Sequence, residues 1–190
     1  PFPNFFGTMG AVIAMRAREL GRKGIVVGDD VALVGDTSGG VGTLARIVRV
    51  EPRRTLLRRT ADDVDPVERV IVANAQQLVV VSALANPEPR PRLIDRALVA
   101  AYDAGMQTLL VLTKADLADP ADFLATYAPL DLAYAVIGQD PDGSLTGLEA
   151  VHDLLSGTVS VLVGHSGVGK STLVNALVPD AERATGHVND

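Results

Sequence analysis

From Gly24 to Thr60 the apolar residues fall in short runs separated by glycine turns, "GIVVGDDVALVGDTSGGVGTLARIVRVEPRRTLLRRT", and never at helical spacing. Val26, Val27, Val31, Leu33, Val41, Leu44, Ile47, Val48, Val50, Leu56 and Leu57 are the apolar members. Closely spaced strands of this kind predict a small all-β barrel. A five-stranded oligonucleotide-binding (OB) barrel fits the length, and an SH3-like barrel fits nearly as well. The acidic, proline-ended "ADDVDP" at 61–66 predicts a boundary, with one domain over 1–62 and a second over 66–190.

Beyond it the rhythm changes. "RVIVANAQQLVVVSAL" holds two runs of the buried-strand type. "PRLIDRALVAAYDAG" has Leu93, Ile94, Ala97, Leu98, Ala101 and Tyr102 at helical spacing and ends at Gly105. A strand ("QTLLVL"), a helix opened by Asp119-Pro120, a strand ("LDLAYAVIG"), a helix ("LTGLEAVHDLLSG") and a last strand ("TVSVLVG") follow. Alternation at this length predicts an α/β domain, a mainly parallel sheet with helices on both faces.

The last strand runs into "GHSGVGKST", Gly164 to Thr172, which has the Gly-x-x-x-x-Gly-Lys-Ser spacing of a phosphate-binding loop. A helix, "KSTLVNALV", follows and stops at Pro179. The glycines let the backbone of Gly164, Ser166, Gly167, Val168 and Gly169 close around a β-phosphate with N–H groups pointing inward. The helix N-terminus, with Thr172 in its first turn, adds partial positive charge. Lys170 neutralises the β- and γ-phosphates, and the Ser171 hydroxyl is the expected Mg²⁺ ligand. His165 reads as a loop residue whose backbone N–H is the useful group. His152 reads as a surface residue.

After the strand ending at Leu112 comes Thr113-Lys114-Ala115-Asp116. An ionised Asp116 accepts hydrogen bonds from guanine N1–H and the 2-amino group, whereas adenine would leave the carboxylate desolvated and unsatisfied. Lys114 can lay its aliphatic stem over the base or sugar. Thr113 stands where Asn is commoner, which predicts a weaker side-chain bridge to the phosphate loop. Asp116 precedes Gly164, so the base-reading turn comes before the phosphate loop. That order is the reverse of ordinary GTPases and points to a circular permutation.

With the basic barrel, "VIVANAQQLVVVSALANPEPRPRLIDRALVAAYDAG", "LTKADL" and "GHSGVGKSTLVNALVPDAERATGHVND", the chain resembles the ribosome small-subunit-dependent GTPase A (RsgA) family over roughly residues 10–190. These are circularly permuted bacterial GTPases with an N-terminal OB barrel. The resemblance implies GTP/GDP and Mg²⁺ as ligands, the small ribosomal subunit and its rRNA as partner, subunit-stimulated GTP hydrolysis, and a late role in maturing that subunit. It also implies a cytoplasmic monomer.

Three departures qualify the match. Ile137-Gly138-Gln139 lacks the Ser-Ala-like element that usually offers backbone to guanine O6. The switch threonine and Asp-x-x-Gly motif of the family are not found, since neither Thr185 nor Asp190 fits those places by context. The family's C-terminal zinc-binding Cys/His region is likewise not found. The expectation is therefore the front part of such a protein, with no catalytic residue for hydrolysis assigned. Two alternatives stay open from the residues: an RNA-binding factor with a vestigial nucleotide pocket, and a P-loop ATPase with a coincidental Thr-Lys-Ala-Asp.

Charge sharpens the first domain's role. The net charge is −6, but residues 1–60 carry ten Lys/Arg against five Asp/Glu while the remainder is strongly acidic. Arg46, Arg49, Arg53, Arg54, Arg58 and Arg59 are the candidate RNA contacts, because guanidinium forks suit phosphates. No aromatic residue occurs between Ala11 and Thr60, so the expected contact is electrostatic and not base stacking. With no cysteine the chain has neither disulfides nor thiolate metal sites, which is compatible with a reducing cytosol. Apolar runs such as "LVVV" are too short to predict a membrane helix, and the start, "PFPNFFGTMG", lacks the basic leader of a signal peptide.

Overall fold

The computed structural model describes residues 11–21, 24–59 and 69–178. The proposed boundary at 61–66, the first ten residues, Thr185 and Asp190 lie outside them. The chain divides into two compact units between Asn74 and Ala75.

The first unit has five short strands, β1 (Ala14–Arg16), β2 (Val31–Gly35), β3 (Ala45–Val50), β4 (Leu56–Arg59) and β5 (Arg69–Ala73). β3 lies at the centre of a three-stranded sheet, parallel to β1 and antiparallel to β2, with a bulge between Ala32 and Leu33. β4 and β5 form an antiparallel pair, and Val27 bridges to Val72. The pairing with β4 explains why "RVIVA" belongs to this unit, although the sequence places it after the boundary. Period-2 alternation puts Ala45 and Leu57 inside. Several valines and leucines expected in a core are instead exposed. Val27 is 77% exposed, and Val41 stands fully out in the turn between β2 and β3. A small sheet has too little second layer to cover every apolar side chain.

A polar clamp holds this unit together. The Asp29 carboxylate accepts the Val26 N–H at 2.8 Å and both forks of Arg53, Nε at 2.6 Å and Nη2 at 2.8 Å. Arg53 Nη2 also donates to Gly24 O at 2.9 Å. The Asp29 side chain is 1% exposed. Asn74 adds a tie, accepting the Arg54 N–H at 2.8 Å and donating to Gly28 O at 2.9 Å. Gly28 must be glycine, because its φ is 87° and a Cβ would strike the Ala73 carbonyl.

The Arg53 guanidinium holds the Asp29 carboxyl below the usual carboxylate range, overcoming the opposite push of burial. Arg53→Ala leaves that carboxylate buried and unpaired, and is expected to cost about 3 kcal/mol in urea unfolding of the chain. Acid acts in the same direction. The lowered pKa contributes stability that is complete above the ordinary carboxylate value and drains away as pH falls through the folded one. An unchanged urea midpoint in Arg53→Ala would show that the clamp does not hold the unit.

The second unit alternates as the sequence predicts: β6 (Gln77–Ala83), α1 (Pro91–Asp103), β7 (Gln107–Thr113), α2 (Ala121–Tyr127), β8 (Ala133–Val136), a two-residue pair β9 (Gly138–Gln139) and β10 (Leu145–Thr146), α3 (Leu148–Leu155), β11 (Ser160–Val163) and α4 (Lys170–Leu177). The sheet order is β11-β6-β7-β8, with every neighbour parallel. All residues of β6 are buried, as expected of an inner strand covered on both faces. Alternate residues divide between the two faces. Val79, Val81, Leu109, Val111 and Ala135 pack with Val151 of α3 and Leu173 of α4. Their even-numbered neighbours Leu78, Val80, Leu110 and Leu112 are equally buried, with Ile94 and Ala101 of α1 among the remaining buried residues. Leu110 shares a groove with Leu124 and Tyr127 of α2.

Local signals set the helix ends. α1 opens on Pro91, whose missing N–H costs nothing at that position, and closes before Gly105 at φ 66°. The Asp119 carboxylate accepts the Ala121 N–H at 2.8 Å as α2 starts. Tyr127 donates to Asp95 at 3.1 Å, tying α2 to α1; burial first, and that carboxylate second, push its phenol up to about 12.

Candidate nucleotide site

Because the four sheet strands are parallel, Val163, Ala83, Thr113 and Val136 all end at the same edge, where ligands of open α/β sheets bind. The phosphate loop leaves β11 and the Thr-Lys-Ala-Asp turn leaves β7, with only β6 between them, a span of roughly 10 Å at the usual interstrand spacing.

The loop is pressed onto β6. A Cβ at Gly164 would collide with the Val81 carbonyl, so no other residue can make this turn. Gly169, at φ 90°, turns the chain into α4, and Val168 between the glycines is buried in the core. Lys170 bends back across the loop, its ammonium donating to Gly164 O at 2.8 Å and His165 O at 2.6 Å. Burial holds its pKa below the ordinary lysine value. Ser171 is half-buried and Thr172 exposed, both in the first turn of α4. The His165 ring lies 2.9 Å from Ser166 O through Nδ1, within its own loop. His152 is on the exposed surface of α3.

Thr113 joins the two turns. Its buried hydroxyl donates to Val168 O at 2.7 Å. The bridge that the sequence predicted to be weak is therefore made, because a threonine at the end of β7 reaches the loop without the longer amide. Lys114 adopts a left-handed φ of 61°, and its ammonium donates to Asn86 O. Asp116 Oδ1 accepts the Gln139 N–H at 3.0 Å, and the Ala115 N–H donates to Ile137 O at 3.1 Å.

A pocket of about 320 Å³ opens here, walled by Thr113, Lys114, Asp116, Gly138 and Gln139 on one side and by Gly169 and Thr172 on the other. Ile137-Gly138-Gln139, which lacks the familiar Ser-Ala-like element, lies against Asp116 all the same. The sequence gives no signal for Asn86, the partner of Lys114, and it places Gln139 in the loop expected to face guanine O6 without assigning it a role.

The arginines are differently placed. Arg46 and Arg58 are exposed. Arg49 pairs with Glu51 at 2.6 Å and Arg54 with Asp30 at 3.3 Å, both on the surface. Arg53 is held by Asp29, with its side chain 22% exposed. The Arg59 side chain lies outside the described residues. Among those residues, no group of three or more His, Asp or Glu is arranged to hold a metal ion, and no helix is long and apolar enough to cross a membrane.

A family model described as RsgA GTPase matches residues 50–190. A small ribosomal subunit biogenesis GTPase RsgA from Gemmatimonas aurantiaca is 38% identical over 166 residues, covering 87% of this chain and 53% of that protein. One of the same name from Nitrosospira multiformis is 39% identical over 172 residues, covering 88% and 51%. Among solved structures, YjeQ from Thermotoga maritima superposes with a TM-score of 0.64 at 28% identity, covering 89% of this chain and 57% of that one. YloQ, a circularly permuted GTPase, does so with a TM-score of 0.56 at 25% identity, covering 90% and 54%. The chain spans about half the length of the curated relatives it matches.

Proposed function

The chain belongs to the RsgA GTPase family, and from that premise we propose that it is the guanine-nucleotide-binding part of a cytoplasmic GTPase that acts on the small ribosomal subunit late in its maturation. The observation that carries this reading is the Thr113–Val168 hydrogen bond. It supports a single nucleotide lying across both turns, with its phosphates in the loop and its purine beside Asp116.

Each residue has a share in holding that nucleotide. The loop N–H groups and the α4 N-terminus meet the phosphate oxygens. Lys170, released from two carbonyls, exchanges them for phosphate oxygens and restores its full charge-assisted bonding. Asp116 accepts from the guanine edge, and Lys114 lies along the base or sugar. Ser171 suits a hard cation that keeps most of its ligands as water and phosphate oxygen, and Mg²⁺ there would neutralise charge on the β- and γ-phosphates.

The rRNA contact falls to the first unit, through Arg46, Arg54, Arg58 and Arg59, with Arg49 held by Glu51 at 2.6 Å and Arg54 more loosely by Asp30 at 3.3 Å. The test is binding to purified small subunits with a non-hydrolysable GTP analogue or with GDP. Tighter binding with the analogue is expected. Replacing those four arginines by glutamine should reduce the slope of log affinity against log salt by about one for each phosphate no longer neutralised. Equal affinity in both nucleotide states would favour an RNA-binding factor with a vestigial pocket, and an unchanged salt slope would move the RNA face elsewhere.

A further inference from the structure

A carboxylate can read one edge of a base only if its plane is held, since the terminal torsion of aspartate is otherwise broad. In this site the holding group is a backbone amide. Gln139 directs its backbone N–H at Asp116 Oδ1, 3.0 Å away. Asp116 Oδ2 has no protein donor among the described residues, and Asp116 lines the pocket.

The amide is itself braced. Gln139 Nε2 donates to Gly143 O at 3.0 Å, closing a turn that the Asp140 N–H to Ser144 O and Gly143 N–H to Asp140 O bonds also hold, at 2.9 and 2.8 Å. On its other side a Cβ at Gly138 would lie 2.9 Å from Thr146 Oγ1 and 3.6 Å from the Asp116 nitrogen, so the hairpin sits close against the base-reading turn.

We propose that Gln139 is a positioning residue for base specificity: its N–H pins one oxygen of Asp116 and leaves the other presented to the purine edge. This rests on the guanine reading given above. It adds a consequence that the reading alone does not contain. An N–H tolerates only an acceptor, so in Asp116→Asn the amide oxygen must take the pinned place and the NH₂ must face the base. Exchange of guanine for xanthine preference in that variant is then dictated by Gln139 as much as by residue 116. Without the N–H the new side-chain amide can rotate, present its oxygen, and accept from guanine.

The experiment removes the N–H and little else, by placing an ester between Gly138 and residue 139 through incorporation of the α-hydroxy analogue of glutamine. GDP, XDP and ADP are each titrated against a fluorescent GDP on the full chain, with and without Asp116→Asn. The ester alone is expected to weaken GDP binding about tenfold, the scale of one hydrogen bond to a charged group. In the Asp116→Asn background it should reduce the XDP-over-GDP preference by about tenfold or more, on the same scale. Gln139→Ala, which keeps the N–H but loses the brace to Gly143 O, should lower that preference less than the ester does, whereas a role carried by the side chain would make the alanine variant the more damaging of the two.

An XDP preference unchanged by the ester overturns the proposal while leaving guanine reading intact. Loss of the melting transition in the ester chain also overturns it, since the N–H would then serve the fold. A wild-type chain that binds ADP as tightly as GDP overturns the guanine reading itself, and this proposal with it.

Discussion

Lys170→Ala is expected to weaken GDP binding about a thousandfold, the cost of truncating one partner of a desolvated, hydrogen-bonded charge pair. The ammonium already lies over the loop, held by Gly164 O and His165 O. A diphosphate therefore meets a cation in place and does not have to recruit one. The fold should survive the change, because Lys170 contributes no core volume and its charge is a burden when buried. The sign of that burden is testable. Burial lowers the lysine pKa in the folded chain, so the unfolded chain binds more protons between the lowered and the ordinary values. Stability of the nucleotide-free chain should rise with pH through that interval, and the rise should vanish in Lys170→Ala. GDP affinity has the opposite trend, since only the protonated amine attracts phosphate. Calorimetric titration across pH checks both. A Lys170→Ala chain that keeps its GDP affinity would show that the phosphates are held elsewhere.

Asp116→Asn should lower GDP affinity by about a thousandfold and raise XDP affinity above it. Two charge-assisted hydrogen bonds from N1–H and the 2-amino group each contribute about 1.5–3 kcal/mol, and the amide supplies a donor where guanine needs an acceptor. Xanthine, with a carbonyl at C2, accepts from that donor. Displacement of labelled GDP by each nucleotide measures the exchange. A chain whose preference does not move would show that Asp116 is not the base reader, and the Thr-Lys-Ala-Asp turn would become an ordinary solvated loop.

Much of this site can be read from local sequence, and the part that cannot has a common cause. Leu93, Ile94, Ala97 and Ala101 announce α1 by their spacing, and "SVLV" before Gly164 announces the strand that feeds the loop, because periodicity and turn chemistry act within a few residues. The opposition of the two turns could be anticipated as well, since a parallel sheet brings its strand ends to one edge in whatever order they are connected. The particular pairings are different. Arg53 and Asp29 lie 24 residues apart, and Gln139 and Asp116 lie 23 apart. Nothing in the arginine run separates Arg53, which braces the first unit, from Arg46, which is exposed. Thr113 carries the same lesson: its identity suggested a weakened bridge, and the packing of β7 beside the loop supplies the short distance that makes the bridge. Likewise, "RVIVA" reads as a strand in either unit, and only the register with β4 assigns it to the first.

One nucleotide spanning the two turns is the central claim, and a crystal structure of the chain with GDP tests it directly. The expected density places the diphosphate within the loop from Gly164 to Ser171, against Lys170, and the guanine edge within hydrogen-bond distance of Asp116 Oδ2. A diphosphate bound in the loop with its base turned away from Asp116, or a base beside Asp116 with its phosphates outside the loop, would contradict it.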